Sequence, residues 1–200
     1  MLDRKAYEKL DYTLCLLSVR ADGKTGGYII NSLHQVASSF PAKFTISVNR
    51  DNATTELVEK AGSFCVTLLA YDAPESIIQD FGYRSGRVAD KFAGYSPKTD
   101  AAGNPYLSEH MVSRVSCRVL DKVEVGNYTV YVAQATEAEV FSAAPVLTLN
   151  AFTGRGHATP STATVYREMV GGNFRCSVCG YVYESETLRE DFICPICRAT

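Results

Sequence analysis

Apolar residues in this chain occur mainly as short runs that end in glycine, proline or polar turns, a pattern typical of β-strands. Four such runs lie early in the sequence, at 11–20, 26–33, 43–49 and 63–70. The longer stretch 112–141 predicts two long strands that meet at the turn "VEVGNY". Another turn is predicted at "ADGKTGG", between the first two strands.

Two segments have the spacing and the end signals of short helices. In "ATTELVEKAG", Leu57, Val58 and Ala61 lie on one helical face and Gly62 provides a stop. In "APESIIQDFG", Pro74 suits a first helical turn and a glycine ends the segment. Consecutive strands, a central helix and no alternation of parallel strands with helices favour a closed antiparallel barrel over a doubly wound sheet.

Composition and charge restrict the classes of function. The 200 residues are 46% hydrophobic and 21% charged, enough for one sizeable core with at most a small second domain. The net charge of -2 gives no basic surface for nucleic acid and no polybasic patch for a membrane. No run approaches the roughly 18 apolar residues that a membrane span needs, and "MLDRKAYEKL" does not have a signal peptide's apolar run. We therefore expect a soluble, cytoplasmic protein.

The seven cysteines fall into two groups. Cys15, Cys65 and Cys117 stand singly inside apolar runs, where a cysteine behaves as a small buried hydrophobe. The other four lie together in the last 27 residues, "FRCSVCGYVYESETLREDFICPICRAT". A chain of this size with no export signal is not expected to depend on a disulfide framework.

The clustered cysteines have the spacing of a metal site. Cys176-x2-Cys179 is followed, after fourteen residues, by Cys194-x2-Cys197, and two such turns facing each other make a cage of four sulfurs. That cage suits zinc or iron. The spacing alone is typical of a structural zinc ribbon, whereas Gly180 favours a turn that directs backbone N–H groups at sulfur, as in iron sites. Both metals stay open at this point.

A second candidate site lies where a predicted strand meets a predicted helix, in "ISVNRDNATTELVEKAG". Helix N-termini offer free N–H groups and the positive end of the helix dipole, which suit a phosphate. Asn49, Arg50, Asn52 and Thr54 add polar groups and one positive charge at this point. Helix capping without any ligand is the alternative explanation.

Both halves of the sequence resemble known families. "CSVCGYVYE" and "CPIC" resemble the two metal-binding turns of rubredoxins over residues 173–198, with the shortened middle of rubrerythrin tails. From about residue 8 to 168, "DGKTGGYIINSLHQVASSF", "KFTISVNRDNATTELVEKAGSFCVTLLA", "DKFAGY" and "CRVLDKVEVGNYTVYVAQATEAEV" resemble, in that order, the flavin reductase-like, FMN-binding split-barrel family. A barrel of this kind fused to such a tail is similar to the high-molecular-weight rubredoxins.

The resemblance implies a mainly β fold, a six-stranded antiparallel Greek-key split barrel with short helices, that binds FMN near a homodimer interface. It implies a barrel domain over 1–168, a linker at 169–173 and a rubredoxin-like metal domain over 174–200. It also favours iron over zinc in the four-cysteine site.

The resemblance also implies which residues contact FMN. By motif position they are Asn31 and Ser32 at the isoalloxazine, Asn49, Arg50, Asn52 and Thr54 at the ribityl phosphate end, and Lys91 and Phe92 beside the flavin, from the same or the second subunit. Arg87 is a further candidate for the phosphate. A histidine near the barrel's end is linked to nicotinamide in related reductases, but a solvent-facing side chain is the favoured interpretation of His157.

These inferences predict an electron-transfer flavoprotein that passes electrons from NAD(P)H through FMN to iron and on to a redox protein. The high-molecular-weight rubredoxins imply a flavodiiron oxygen or nitric oxide reductase as that acceptor. One alternative is an NAD(P)H:flavin reductase with a structural zinc ribbon. Another is a non-enzymatic module that holds flavin or haem as a sensor.

Overall fold

A computed structural model describes residues 3–84, 86, 90–157, 159–160, 162–165, 173–175, 182–184 and 192–193. The strands are β1 (Cys15–Ala21), β2 (Lys24–Ile30), β3 (His34–Ala37), β4 (Lys43–Asn49), β5 (Ser63–Leu69), β6 (Lys98–Thr99), β7 (Pro105–Tyr106), β8 (Met111–Val125), β9 (Tyr128–Val140), β10 (Asn173–Arg175) and β11 (Val182–Glu184). The helices are a 3-10 helix (Arg4–Lys9), α1 (Ala53–Ala61), α2 (Glu75–Ile78), which continues as a π-helical turn (Gln79–Tyr83), and α3 (Leu149–Thr153).

The main sheet is antiparallel throughout. Its strand order is β2-β1-β5-β8-β9-β4-β3, seven strands among the described residues. The six strands that the apolar runs predict are all present, and β3 is the addition. Strand β3 is an exposed edge strand of four residues with no buried apolar face, so its sequence carries no alternation that a pattern could detect.

The sheet curls into a barrel. Strand β2 forms one edge, yet Tyr28 and Ile30 share one buried apolar cluster with Ile46 and Val48 of β4, next to the other edge. In a flat sheet, five strand spacings would hold β2 and β4 about 24 Å apart. The common cluster therefore confirms the predicted mainly β split barrel.

The first two strands are buried on both faces. Leu17 of β1 and Ile30 of β2 point into the barrel, whereas Leu16 and Ile29 belong to a second apolar cluster outside it. Helices α2 and α3 cover this outer cluster, for example through Ile77. This double burial explains why β1 is an almost continuous apolar run rather than an alternating one.

The turn between β1 and β2 is shorter than predicted. The sequence "ADGKTGG" suggested a turn of seven residues, but only Asp22 and Gly23 form it, with φ of 50° and 73°. Positive φ at both positions is the geometry of a tight hairpin turn, and Asp-Gly suits it. Gly26 and Gly27 lie within β2, as the predicted strand 26–33 has them, and other parts of the chain approach the strand closely at both positions.

Helix α1 begins and ends where its sequence predicts. The Asn52 side chain caps its N-terminus by accepting a hydrogen bond from the Thr54 N–H, and Gly62 ends it with φ of 61°. In the second helical segment, Pro74 lies just before α2 with an extended backbone, and the π-helical turn carries the helix to Tyr83. No helix in the described part of the chain is both long and apolar enough to cross a membrane.

Candidate functional site

The residues predicted to hold a phosphate meet where β4 ends and α1 begins. Asn52 Oδ1 accepts from the Thr54 N–H at 3.0 Å, and Asn49 Oδ1 accepts from the Asp51 N–H at 2.9 Å. The Thr55 hydroxyl donates to the Asn49 carbonyl at 2.7 Å. These local bonds order the loop, but the Asn52, Thr54 and Thr55 N–H groups all have partners within it, so phosphate binding at the positive end of the helix dipole stays a prediction.

Thr54 and Arg50 leave this junction in different directions. The Thr54 side chain is buried against β2, where its Oγ1 would lie 3.0 Å from a Cβ at Gly26. The Arg50 guanidinium donates to the Glu124 carboxylate at 2.7 Å and to the Gly126 carbonyl, at the tip of the β8–β9 hairpin. The Arg50–Glu124 pair is exposed and therefore contributes at most about 1 kcal/mol, so a phosphate could replace Glu124 at little expense.

Asn31 and Ser32 lie at the end of β2, at the split of the barrel. The Ser32 hydroxyl donates to the Ser47 carbonyl at 2.9 Å and accepts from the Ser47 N–H at 3.0 Å. This reciprocal pair joins the end of β2 to β4 across the split. Because the Ser32 hydroxyl has used its only donor, its predicted contact with a flavin would come from the backbone or from the hydroxyl acting as an acceptor.

Asn31 carries a polar group without a partner. Its Oδ1 accepts from the Thr164 N–H at 2.7 Å, whereas its buried Nδ2 has no hydrogen-bond partner among the described residues. A buried donor left unpaired costs about 1–3 kcal/mol, and such groups in native proteins usually await a ligand or a water. Asn31 therefore fits the predicted role of a flavin contact, with its amide nitrogen as the donor.

Sequence reasoning missed two threonines near Asn31. The Thr162 hydroxyl donates to the Ile29 carbonyl of β2, and the Thr164 hydroxyl reaches the Ser47 carbonyl of β4 at 3.4 Å. Both lie in "STATV", which reads as an ordinary loop. The only signal was the likeness of this region to the split-barrel family, which gave no role to either residue.

Lys91 and Phe92 are both buried within their own subunit, and Phe92 belongs to the outer apolar cluster. The Lys91 ammonium donates to the Phe81 carbonyl at 3.2 Å. The Phe92 ring meets Phe81 edge to face at 4.9 Å and lies against Gly27 of β2. The contact of both residues with a flavin stays a prediction, and Arg87, the further phosphate candidate, lies outside the described residues.

His157 is packed rather than solvent-facing. Its ring stacks on Phe152 with centroids 4.6 Å apart, and its Nδ1 lies 3.3 Å from the Glu75 carboxylate. Its side chain is 29% exposed. The interpretation as a surface histidine was therefore wrong, because the end of α3 places His157 over an aromatic ring.

The predicted metal ligands Cys176, Cys179, Cys194 and Cys197 lie outside the described residues. The residues around the first pair form a small hairpin, in which Phe174 of β10 pairs with Tyr183 of β11. The Tyr183 ring also contacts Phe192, with centroids 4.7 Å apart, shortly before the second pair. Four thiolates remain a donor set that suits iron or zinc.

The three isolated cysteines do not compete for metal. Cys15, Cys65 and Cys117 are free thiols and fully buried, as predicted. Burial raises the pKa of Cys15 and Cys117 to about 12 and that of Cys65 to about 11. At neutral pH they are protonated and therefore poor nucleophiles, and no group of three or more metal-ligating side chains occurs in the described part of the chain.

Comparison with known proteins agrees with this geometry. The family model for the flavin reductase like domain matches residues 7–158, and that for the rubrerythrin, rubredoxin-like domain matches residues 174–200. A high molecular weight rubredoxin of Moorella thermoacetica is 30% identical, over 99% of this chain and 96% of that protein. A ferric-chelate reductase (NAD(P)H) of Archaeoglobus fulgidus is 33% identical, over 84% of this chain and 99% of that protein.

A solved structure supports the fold alone. The NADH:FAD oxidoreductase of Streptomyces globisporus C-1027 superposes with a TM-score of 0.64 at 18% identity, covering 72% of this chain and 85% of that one. At the level of the family, these matches confirm an FMN-dependent oxidoreductase with NAD(P)H as donor and iron in the second domain. The chain therefore belongs to the flavin reductase-like family and carries a rubredoxin-like domain at its C-terminal end.

Proposed function

We propose that the protein carries electrons from NAD(P)H, through FMN in the barrel, to iron in the four-cysteine site and on to a redox protein. One observation carries this proposal: a flavin reductase-like barrel and a rubredoxin-like domain occur in one chain, and a high molecular weight rubredoxin matches both from end to end. When bound, FMN supplies hydride acceptance, and iron held by four thiolates supplies one-electron transfer.

The junction of β4 and α1 would hold the FMN phosphate. The N-terminus of α1, which the Asn52 side chain caps, supplies the positive end of the helix dipole. Arg50, two residues before the Asn52 cap, could add a positive charge to the phosphate site if its ion pair with Glu124 breaks. Asn49 orders the turn through its bond to the Asp51 N–H.

The end of β2 would hold the isoalloxazine. Asn31 offers the unpaired Nδ2 described above, and the Ser32–Ser47 pair keeps the split of the barrel closed beside it. Phe92 lies against Gly27 on the outer face of β2, and the adjacent Lys91 bonds to the Phe81 carbonyl. These residues bind and orient the cofactor and exclude water from it; none of them is assigned a proton transfer.

Cys176, Cys179, Cys194 and Cys197 would bind the iron. Further elements of the proposal are a homodimer with FMN near its interface, a cytoplasmic location, and a flavodiiron oxygen or nitric oxide reductase as the acceptor. A rubredoxin-like domain supports a redox protein as partner, because a single iron centre passes electrons on rather than performing chemistry on a small molecule.

Anaerobic mixing with NADH tests the proposal directly. We expect the flavin absorption to bleach first and the ferric-thiolate absorption to disappear afterwards, in the same protein and without added mediator. A Cys194→Ser variant is the control, since it should retain the first phase and lose the second.

Two results would contradict the relay. Bleaching of the flavin with no change at a fully loaded iron site would remove electron transfer between the centres. Zinc without iron in protein from its native host would favour the flavin reductase with a structural ribbon, a role that the match of residues 7–158 to the flavin reductase like domain also allows.

A further inference from the structure

The short segment 162–165, which we call the strap, lies across the split of the barrel. Thr162 donates to the Ile29 carbonyl of β2, and Thr164 reaches both Asn31 at the end of β2 and the Ser47 carbonyl of β4. Between them, Ala163 is buried. The strap thus joins two strands that lie near opposite edges of the sheet order.

The strap also determines which way the Asn31 amide faces. The Thr164 N–H is a donor only, so it must meet the oxygen of the amide, and the 2.7 Å contact is with Oδ1. The opposite orientation would bring two donors together. Asn31 Nδ2 therefore points away from Thr164 and is left buried without a partner from the described residues.

We propose that the strap is a positioning element for the flavin: Thr162 anchors it on β2, and the Thr164 N–H fixes Asn31 so that Nδ2 can donate to the cofactor. Thr162 and Thr164 act through Asn31 and need not touch the flavin. The proposal rests on the proposed function, because it assumes that FMN binds at the end of β2. It adds that residues over 130 positions away from Asn31 in sequence control FMN affinity.

Three variants separate the anchoring of the strap on β2 from the hydrogen bond that Asn31 Nδ2 would donate to the flavin. Thr162→Val removes the hydroxyl bonded to the Ile29 carbonyl and keeps the side-chain shape. Asn31→Asp keeps an acceptor for the Thr164 N–H but replaces the Nδ2 donor. Thr153→Val is the matched control, since it removes a threonine hydroxyl that is bonded to backbone carbonyls within α3, outside the strap.

The measurements are the dissociation constant of FMN, from quenching of flavin fluorescence on titration with apoprotein, and the exchange rate of the Thr164 amide by NMR. We expect Thr162→Val to weaken FMN binding about tenfold, the factor for one hydrogen bond of ordinary strength. Asn31→Asp should weaken it further, because it also places a carboxylate at a buried position. Thr153→Val should stay within about twofold of the wild type. Thr162→Ser, which keeps the hydroxyl, should restore wild-type affinity.

Amide exchange and the flavin absorption spectrum distinguish positioning from general stability. In apoprotein, Thr162→Val should speed exchange of the Thr164 amide, whereas Thr153→Val should not. The absorption maxima of bound flavin should shift in Asn31→Asp, because the donor to the ring system is lost, and stay unchanged in Thr153→Val.

The outcomes separate this inference from the proposed function. If the wild type binds FMN but Thr162→Val matches Thr153→Val in affinity and amide exchange, the strap has no positioning role. If wild-type apoprotein takes up no FMN, the proposed function and the strap's role are both wrong.

Discussion

The ring of Phe92 lies directly against Gly27: a Cβ at position 27 would stand 2.9 Å from Cε2 and 3.0 Å from Cζ of that ring. The ring has little room to retreat, since its other side meets Phe81 at 4.9 Å in the outer apolar cluster. The glycine is therefore required by packing within β2 and not by a turn.

Gly27→Ala should destabilise the barrel by about 2 kcal/mol, because the added methyl group overpacks a buried contact. Gly94→Ala is the control: a Cβ at Gly94 would meet nothing within 4 Å. Urea unfolding of both variants measures the difference. Equal stability of the two variants would mean that the Phe92 ring moves freely.

Asn52→Asp should separate helix capping from phosphate binding. Aspartate caps a helix as well as asparagine does, so the free energy of unfolding should change by less than about 0.5 kcal/mol. Its negative charge would repel a phosphate at the same place, so FMN affinity should fall while riboflavin affinity should not. Equal losses of affinity for FMN and riboflavin would place the phosphate elsewhere. Asn52→Ala is the control for capping and should lower the free energy of unfolding by about 1 kcal/mol.

The buried Arg114 should make stability depend on pH through Glu137. Arg114 donates to the Glu137 carboxylate at 2.8 Å, which is the main reason that the pKa of Glu137 lies below its ordinary value. A lowered folded-state pKa means that the interaction stabilises fully above the unfolded pKa. That contribution is lost as the pH falls through the folded pKa.

Glu137→Gln should therefore be less stable than the wild type at neutral pH, by roughly 1 kcal/mol, and the gap should close toward about pH 3. Thermal unfolding across that pH range measures both proteins. Glu139→Gln is the matched variant. Glu139 also accepts a hydrogen bond from Arg114, but its side chain is 48% exposed, so this substitution should change stability less at neutral pH. A gap for Glu137→Gln that stays constant with pH would contradict the ion pair's role.

Cys194→Ser should abolish iron binding and leave the barrel intact. Replacing one thiolate by a hydroxyl removes a soft ligand from a four-sulfur site, so the visible ferric-thiolate absorption should vanish while FMN stoichiometry stays unchanged. Metal analysis and flavin content of purified protein provide the measurement. Cys117→Ala is the control, because Cys117 is buried in the barrel and should retain the full metal content.

Local signals in the sequence were sufficient to predict the strands and helices that have a buried face or a capping residue. The strands of the barrel appear as apolar runs, and the Asn52 and Gly62 ends of α1 follow ordinary capping chemistry. The four-cysteine spacing likewise predicts a set of metal ligands, which lies outside the described residues. The strands and the helix caps depend on residues within a few positions of one another, and the cysteine pattern on residues within 22 positions.

The remaining features depend on distant contacts that no local pattern records. Gly26 and Gly27 belong both to a predicted turn and to a predicted strand, and only the approach of Thr54 and Phe92 explains why glycines occupy these strand positions. The bond between Thr164 and Asn31 joins residues 133 positions apart. Strand β3 is defined by its pairing with β4 and has no apolar face of its own.

The bond between Thr164 and Asn31 also limits how far the metal domain can travel. Thr164 and Asn173, where β10 begins, are nine positions apart, so at most about 30 Å separates them whatever path the chain takes between them. A tether of this length holds one module near the other at an effective concentration in the millimolar range. Exchange of electrons within a subunit would then proceed at the same rate in dilute and concentrated solutions.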